Sequence, residues 1–272
     1  MVIAQTVARV VADTPEVTWS IVVTGRPGVE AAADPGRRLS TASIGKILLL
    51  AEAARQIEDG TLDEREMLRK DPAVAIADSG LWQHLTVDAL PVADVAALVA
   101  AVSDNWATNV LLDRVGLDAV HALATRLKLE NTLLNDRVRG YRAPGDTTRL
   151  SHGSARELAS LMHRLAKGKL ISAAVSERLD GWLAINTDLS MVASAFHLDP
   201  LAHAGEERGF LLRNKTGTDT AIRADVGYVR GPSGLLAYAV LANWDRAAGD
   251  ATDAVMAAMN LIGSALKDVE NA

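Results

Sequence analysis

Hydrophobic residues along the chain change their spacing from strand-like to helix-like and back again. The run at 17–23 is apolar and rich in β-branched residues, which predicts a strand, and 29–33 predicts a second strand paired with it across a turn at 24–28. A short helix is predicted before them, over about 3–13. The chain therefore opens with a helix and a small piece of sheet.

Helical spacing dominates from Ser43 to about Leu183. A first helix is predicted from Ser43 to just before Gly60, because apolar residues recur there every three or four positions and glycine commonly ends a helix. Further helices are predicted within this block, and their expected ranges are 94–102, 106–115 and 154–167.

Strand patterns return near the end of the chain, over 210–213, 224–229 and 235–241, and an amphipathic helix is predicted over 253–269. This order predicts an α/β fold of the α+β type, with an antiparallel sheet built from both chain ends, flanked by helices, and an inserted all-helical lobe.

The predicted lobes are 1–36 together with 184–272 for the sheet, and 37–183 for the helices. They are expected to form one globular unit with a ligand site at their junction, where clefts between structural units commonly bind small molecules.

Composition narrows the possible partners. The chain has 272 residues, 49% of them hydrophobic, and a net charge of −6. This acidic excess argues against nucleic acid or an anionic membrane as the main partner. The absence of cysteine excludes disulfides and a thiolate nucleophile. We expect a monomer that binds a small molecule.

The N-terminal residues 1–15 show no signal-peptide pattern, and no apolar window is long enough to cross a membrane. The sequence as written therefore predicts a cytoplasmic protein, or a periplasmic or secreted one if a signal peptide has been removed. The six histidines include no pair at metal-ligand spacing with a glutamate between them, so no metal is predicted. Gly45-Lys46 lacks the other residues of a phosphate-binding loop.

Three short motifs occur in a fixed order: Ser-Ile-Gly-Lys at 43–46, Ser-Asp-Asn at 103–105 and Lys-Thr-Gly at 215–217. Each tripeptide is expected by chance in only about a few per cent of chains of this length. The three together, the first opening a helix and the third closing a strand, resemble the signature of class A β-lactamases and penicillin-binding proteins. The likeness extends over most of the chain, and it implies a β-lactamase/transpeptidase-like fold.

Ser43 and Lys46 are three residues apart, so both side chains share one face of a helix. A serine hydroxyl needs a base near neutral pH, and a lysine among apolar neighbours has a lowered pKa because burial disfavours its charge. Ser43 is therefore the predicted nucleophile and Lys46 the predicted proton acceptor.

The resemblance implies roles for the second motif. Ser103 is expected to pass a proton to the leaving nitrogen, Asn105 to contact the substrate amide, and Asp104 to be structural. Taken alone, the same tripeptide is also typical of a helix-capping turn.

The resemblance also implies that Lys215 supplies positive potential for an anionic substrate and that Thr216 offers a hydroxyl to its carboxylate. Gly217 would let the ligand approach the backbone. Arg223 is similar to the arginine that helps to hold the carboxylate, although it lies one residue closer to Lys215 than expected. The backbone N–H groups of Ser43 and Thr218 would form an oxyanion hole.

One loop departs from the family pattern, which is Arg-x-Glu-Pro-x-Leu-Asn. The corresponding stretch is 136–140, in which Arg137 matches the arginine and the glutamate position falls on Arg139. Asp146, with the two threonines after it, matches the end of that loop. An alternative is that the shortened loop is misaligned and that another carboxylate occupies the site.

Because arginine stays protonated, it cannot act as a general base. The sequence therefore predicts slow release of the acyl-enzyme formed from β-lactams or related amides and esters, without a cofactor. Three alternatives remain: a β-lactam-binding sensor that is acylated without turnover, an esterase or peptidase, and an inactive scaffold.

Overall fold

A computed structural model describes residues 2–76, 78–141 and 149–272. Within these ranges the chain forms eight α-helices and ten strands. The helices are α1 (Val2–Asp13), α2 (Lys46–Glu58), α3 (Val92–Val102), α4 (Asn105–Val115), α5 (Leu117–Arg126), α6 (Ala155–Ala166), α7 (Ala173–Leu183) and α8 (Thr252–Asn271). In the part of the chain described, no helix has the length and hydropathy that a membrane crossing requires.

Five strands form the main sheet: β1 (Val17–Thr24), β2 (Ala31–Ala33), β8 (Leu211–Asp219), β9 (Ile222–Gly231) and β10 (Gly234–Trp244). Their order is β2-β1-β10-β9-β8, and every neighbouring pair is antiparallel. The N-terminal strand β1 pairs along its whole length with β10, from Val17 opposite Trp244 to Thr24 opposite Ala237. The predicted antiparallel sheet from both chain ends is confirmed.

Each face of the main sheet buries a separate hydrophobic core, because residues alternate in direction along a strand. Side chains such as Val226 and Leu241 face the helical block, where they join the buried residues of α2 to α7. Side chains such as Tyr238 and Val240 face the opposite side, which α1 and α8 cover. Strand β10 is therefore buried on both faces.

Helix α6 packs against β10 and β1, although it falls within the range predicted for the helical lobe. The division at 36/37 and 183/184 stays a prediction.

Five short strands lie among the helices and were not predicted from the periodicity: β3 (Leu39–Ser40), β4 (Met67–Arg69), β5 (Ala89–Pro91), β6 (Leu133–Leu134) and β7 (Ser151–Gly153). Strand β7 pairs with β3 on one side and with β6 on the other. Because β3 ends three residues before Ser43, this small sheet holds the segment that leads into the first motif.

Two expectations about the motifs need correction. Ser43 does not open an α-helix; it lies in one 3₁₀ turn, Ala42–Gly45, and α2 begins at Lys46. Lys215 does not close its strand, since β8 continues to Asp219. The antiparallel pairing of β8 with β9 carries the strand past the glycine, with Gly217 opposite Ala224.

Candidate active site

The turn that carries Ser43 has an unusual backbone held by hydrogen bonds from a distant residue. Ala42 has a φ of 47°, a conformation that non-glycine residues rarely adopt. The Ser151 hydroxyl donates to the carbonyl of Ala42 over 2.6 Å and lies 2.7 Å from the hydroxyl of Thr41. Ser151 therefore stabilises a strained turn, as is common where a side chain must be aimed at a site.

Two glycines let the Ser43 turn pack between strands. A Cβ atom on Gly217 would lie 2.2 Å from the carbonyl oxygen of Thr41 and 3.2 Å from the backbone nitrogen of Ser43. A Cβ atom on Gly45 would lie 2.5 Å from the Cβ of Ser151. The glycine of the third motif thus brings β8 against the nucleophile turn, which sets Thr218 beside it.

A cavity of about 450 Å³ opens at this contact. Four groups of described residues form its wall. One contains the turn of Ser43, one surrounds the second motif, one comes from the segments around 138–140 and 149–151, and one comes from the segment 186–188 and the β8–β9 hairpin. The lining residues used below are Ser43, Asp78, Ser103, Asn105, Arg139, Arg149, Asp188, Thr216, Thr218 and Asp219.

Lys46 lies directly behind this wall and is completely buried. Its Nζ donates to the carbonyl oxygen of Ser103 over 2.6 Å, to the Oδ1 of Asn105 over 2.7 Å and to the hydroxyl of Ser103 over 3.0 Å. Burial, together with the positive charge of Lys215, lowers the pKa of Lys46 well below 10.5. Lys46 therefore links the first two motifs as a base candidate.

None of the hydrogen bonds that Lys46 makes within the described residues goes to Ser43. The expectation that Lys46 takes the Ser43 proton stays a prediction. The hydroxyl that does form a hydrogen bond with the Nζ of Lys46 is that of Ser103.

The second motif lies between α3 and α4, and its aspartate organises the chain around it. Ser103 has a φ of 54° where α3 ends. Asp104 caps α4 by accepting from the backbone N–H of Ala107, and its other oxygen accepts from the N–H groups of Leu81 and Trp82 at 2.7 Å. Asp104 is 1% exposed. These contacts fit the structural role expected for Asp104.

Asn105 connects Lys46 to an exposed carboxylate at the cavity rim. Its Oδ1 accepts from Lys46, and its Nδ2 donates to Asp78 over 2.6 Å. Asp78 was not singled out from the sequence, because the hydrogen bond spans 27 residues and no local pattern marks it.

Lys215 is also completely buried, and its Nζ donates to the carbonyl of Thr216 over 3.0 Å. Burial lowers the pKa of Lys215 to about 8, while the carboxylates of Asp188 and Asp225 act in the opposite direction. Near neutral pH this lysine is therefore mainly charged, which fits the expected source of positive potential.

Thr216 contacts the cavity, but its hydroxyl already has a partner. The hydroxyl donates to Asp188 over 2.6 Å. Asp188 follows α7 in the polar stretch Asn186-Thr187-Asp188, ahead of the 3₁₀ turn Val192–Phe196, and no sequence motif marks it. This carboxylate is the main difference between the site and the expectation from the sequence.

Arg223 does not line the cavity. The register places it opposite Thr218, yet its guanidinium donates to the backbone carbonyls of Asp219 and Ile222 and lies 5.9 Å from the ring centroid of Trp244. Its expected contact with a substrate carboxylate stays a prediction, and this geometry gives it no support.

The loop that departs from the family pattern is anchored on both sides of Val138. Asn109 accepts from the N–H of Val138 over 2.8 Å and donates to its carbonyl over 2.9 Å. Arg139 lines the cavity and forms an ion pair with Asp136, with Nε 2.6 Å from Oδ2.

Arg137 pairs with Asp113 at 3.1 Å. Its expected partner Asp146, with Thr147 and Thr148, lies outside the described residues. The carboxylates that line the cavity within those residues are Asp78, Asp188 and Asp219. No group of three possible metal-binding side chains occurs within them.

The fold is shared with a set of solved structures. A β-lactamase from Sphaerobacter thermophilus DSM 20745 is 24% identical and superposes with a TM-score of 0.83 over 98% of this chain and 97% of that one. A protein named PBP-A is 20% identical, with a TM-score of 0.83 over 98% of this chain and 95% of that one. An ancestral class A β-lactamase (GNCA) is 21% identical, with a TM-score of 0.81 over 98% and 99%.

These likenesses establish the β-lactamase/transpeptidase fold. The model of the beta-lactamase enzyme family matches residues 3–269, so the chain belongs to that family. It is a β-lactamase-family protein of the serine hydrolase fold, and its family acts on small molecules. No curated protein sequence matches the chain significantly.

Proposed function

We propose that this protein is a serine hydrolase that forms an acyl-enzyme on Ser43 with β-lactams or related amides and esters, and that releases the acyl group slowly. The observation that carries the proposal is the contact of the buried Lys46 with Ser103 and Asn105 behind the cavity that exposes Ser43. This arrangement supplies a nucleophile, a lysine with a lowered pKa and a proton relay within one site.

Acylation proceeds by attack of the Ser43 oxygen on the substrate carbonyl carbon, while the hydroxyl proton passes to the Nζ of Lys46. The tetrahedral oxyanion is stabilised by the backbone N–H groups of Ser43 and Thr218, each worth about 3 kcal/mol in comparable enzymes. When the C–N or C–O bond breaks, Ser103 passes the proton from Lys46 to the leaving atom, since its hydroxyl is 3.0 Å from Nζ.

Deacylation needs a base that removes a proton from water on the other side of the ester. The sequence assigns that position to Arg139, which is paired with Asp136. Because general-base help is commonly worth about 10²–10⁴-fold, the acyl-enzyme is expected to be long-lived. A solved relative of the same fold, the L158E mutant of PBP-A, is described as an acyl-enzyme complex with penicillin-G.

The test is intact-protein mass spectrometry after mixing with a penicillin, sampled from seconds to hours. We expect an adduct of the mass of the penicillin that persists while little hydrolysed product accumulates. The variant Ser43→Ala is expected to form no adduct and to keep the same fold by circular dichroism, because only one half-buried hydroxyl is removed. Labelling that persisted in Ser43→Ala would contradict the nucleophile assignment.

A permanent adduct without any turnover is expected of a sensor rather than an enzyme. The ion pair of Arg139 with Asp136 favours that second function over rapid hydrolysis. A transient adduct with product accumulating would instead mean an efficient β-lactamase with another base, and the absence of both would favour esters or peptides.

A further inference from the structure

The cavity wall beside Thr216 carries an ionised carboxylate. Asp188 is half-buried, and its Oδ2 accepts from the Thr216 hydroxyl, whereas its Oδ1 accepts from the N–H and the hydroxyl of Ser190 at 3.1 and 2.6 Å. Burial acts to raise the pKa of Asp188, but these hydrogen bonds and the charge of Lys215 outweigh it and lower the pKa below 3.8. The carboxylate is therefore negative near neutral pH.

The positive charges nearest to this wall are balanced by acidic groups. Lys215 is influenced by both Asp188 and Asp225, and its Nζ donates to a backbone carbonyl. The Arg223 guanidinium donates to two backbone carbonyls and lies over the ring of Trp244, and Arg223 is not part of the cavity lining. Asp188 lines the cavity whereas Lys215 and Arg223 do not, so an anionic substrate group placed beside Thr216 would face a carboxylate.

The other described cations on the cavity wall, Arg139 and Arg149, come from the segments 138–140 and 149–151, which form a different part of the lining. Arg139 is paired with Asp136. The charged groups of the lining beside Thr216 are thus the carboxylates of Asp188 and Asp219, which suit an ammonium or an amide N–H.

We propose that Asp188 sets the substrate class of this site: it selects amides or esters whose leaving group carries a cation or a neutral hydrogen-bond donor, and it disfavours those that carry a carboxylate. This inference rests on the proposed acylation of Ser43, because only a reacting substrate reports on the leaving-group end of the cavity. Like charges in contact repel and opposite charges attract, so one carboxylate acts on both classes of substrate.

The test uses three aryl esters of one N-acylglycine that differ only in the phenol: meta-hydroxybenzoate, meta-hydroxybenzamide and meta-(aminomethyl)phenol. All three form the same acyl-enzyme, so their rates of adduct formation differ only through the leaving group. The rate is measured by rapid-quench mass spectrometry and by phenol release, for the wild type and for Asp188→Asn.

We expect the wild type to react with the cationic ester at least about tenfold faster than with the anionic one, the scale of one charge–charge contact near a protein surface. Asp188→Asn should reduce that ratio by about tenfold and speed acylation by penicillins, whose carboxylate no longer meets a negative charge. The neutral ester should change by less than about threefold, because the asparagine Oδ1 can still accept from Ser190 while its Nδ2 donates to the Thr216 hydroxyl.

The matched control is Asp268→Asn, which removes the same charge from an exposed position on α8. It is expected to leave the ranking of the three esters unchanged. A wild type that prefers the anionic ester, or an Asp188→Asn variant with the wild-type ranking, would overturn this inference and leave the acylation of Ser43 intact. Failure of all three esters and of penicillin to label Ser43 would overturn the proposed function and this inference together.

Discussion

At the scale of single residues, the pKa values of two buried lysines are lowered to different extents because their surroundings differ. Lys46 is buried against hydrogen-bond acceptors of the second motif and is repelled by Lys215, and its pKa falls well below 10.5. Lys215 is attracted by Asp188 and Asp225, and its pKa falls only to about 8. The more strongly lowered pKa suits Lys46 to the role of a base, and the higher pKa of Lys215 suits it to the role of an electrostatic anchor.

This difference predicts a two-sided pH profile for the acylation of Ser43. Above pH about 8 the rate should fall, because Lys215 loses the proton that supplies positive potential, and on the acidic side it should fall as Lys46 gains one. The measurement is the rate of adduct formation as a function of pH, on both sides of the pKa of about 8 of Lys215. In Lys46→Met the rate should be lower at every pH and the acidic limb absent; an unchanged acidic limb would assign it to another group.

The residues of the three motifs could be predicted from the sequence because each motif is contiguous and its chemistry follows from a local spacing. Ser151 and Asp188 could not be predicted, since their hydrogen bonds to Ala42 and Thr216 span 109 and 28 residues. A local sequence pattern does not predict which distant side chains the fold brings into hydrogen-bonding contact. The same holds for Arg223, whose likeness to the family arginine suggested a role that its hydrogen bonds do not support.

At the scale of elements, the nucleophile turn is held between β7 and β8, and glycine makes the contact with β8 possible. In Gly217→Ala the new Cβ would lie 2.2 Å from the carbonyl of Thr41, which is backbone and cannot turn away. We expect the free energy of unfolding to fall by about 1–3 kcal/mol and acylation of Ser43 to fall further than stability alone explains.

The matched control for this prediction is Gly181→Ala within α7, where a Cβ meets no atom within 4 Å. The free energy of unfolding of this variant should rise by about 0.5–1 kcal/mol, because alanine is favoured over glycine by that amount in a helix interior. The measurements are urea denaturation and the rate of adduct formation. Wild-type acylation by Gly217→Ala would mean that β8 does not position the turn.

The loop around Arg139 offers a second prediction at this scale. Replacing Arg139 by glutamate supplies a carboxylate next to Asp136, and the neighbouring negative charge raises its pKa, which makes it a better base. If the aligned position is the correct one, deacylation should accelerate by about 10²-fold or more.

The comparison for the loop is Arg139→Gln, which breaks the ion pair with Asp136 without adding a base. Decay of the isolated adduct, followed by mass spectrometry, separates the two variants. Equal decay rates in both would show that the loop alignment is wrong or that the loop does not hold a water molecule.

The long elements were predictable and the short ones were not, for a physical reason. Helices α3, α4, α6 and α8 each bury one face over eleven or more residues, so the spacing of apolar residues in the sequence predicts them. Strands β3, β6 and β7 have two or three residues, too few for any alternation. Their pairing depends on tertiary position, and it is this pairing that fixes the nucleophile turn.

At the scale of the whole molecule, β10 belongs to both hydrophobic cores and joins the two ends of the chain. It pairs with β1 on one side and β9 on the other, and its side chains alternate between the core shared with the helical block and the core shared with α8. Neither core is complete without this strand, and the cavity lies where β8 of the same sheet meets the helical block.

This shared strand predicts that both cores unfold together. Leu241→Ala, in the core against the helices, and Ile262→Ala, on α8 in the opposite core, should each lower the free energy of unfolding by about 2–5 kcal/mol. The exposed Leu261→Ala on α8 should change it by less than about 0.5 kcal/mol. Urea denaturation followed by circular dichroism and by tryptophan fluorescence should give coincident single transitions for all three, because loss of either core removes one face of β10. Separate transitions in the two core variants would mean that the cores fold independently.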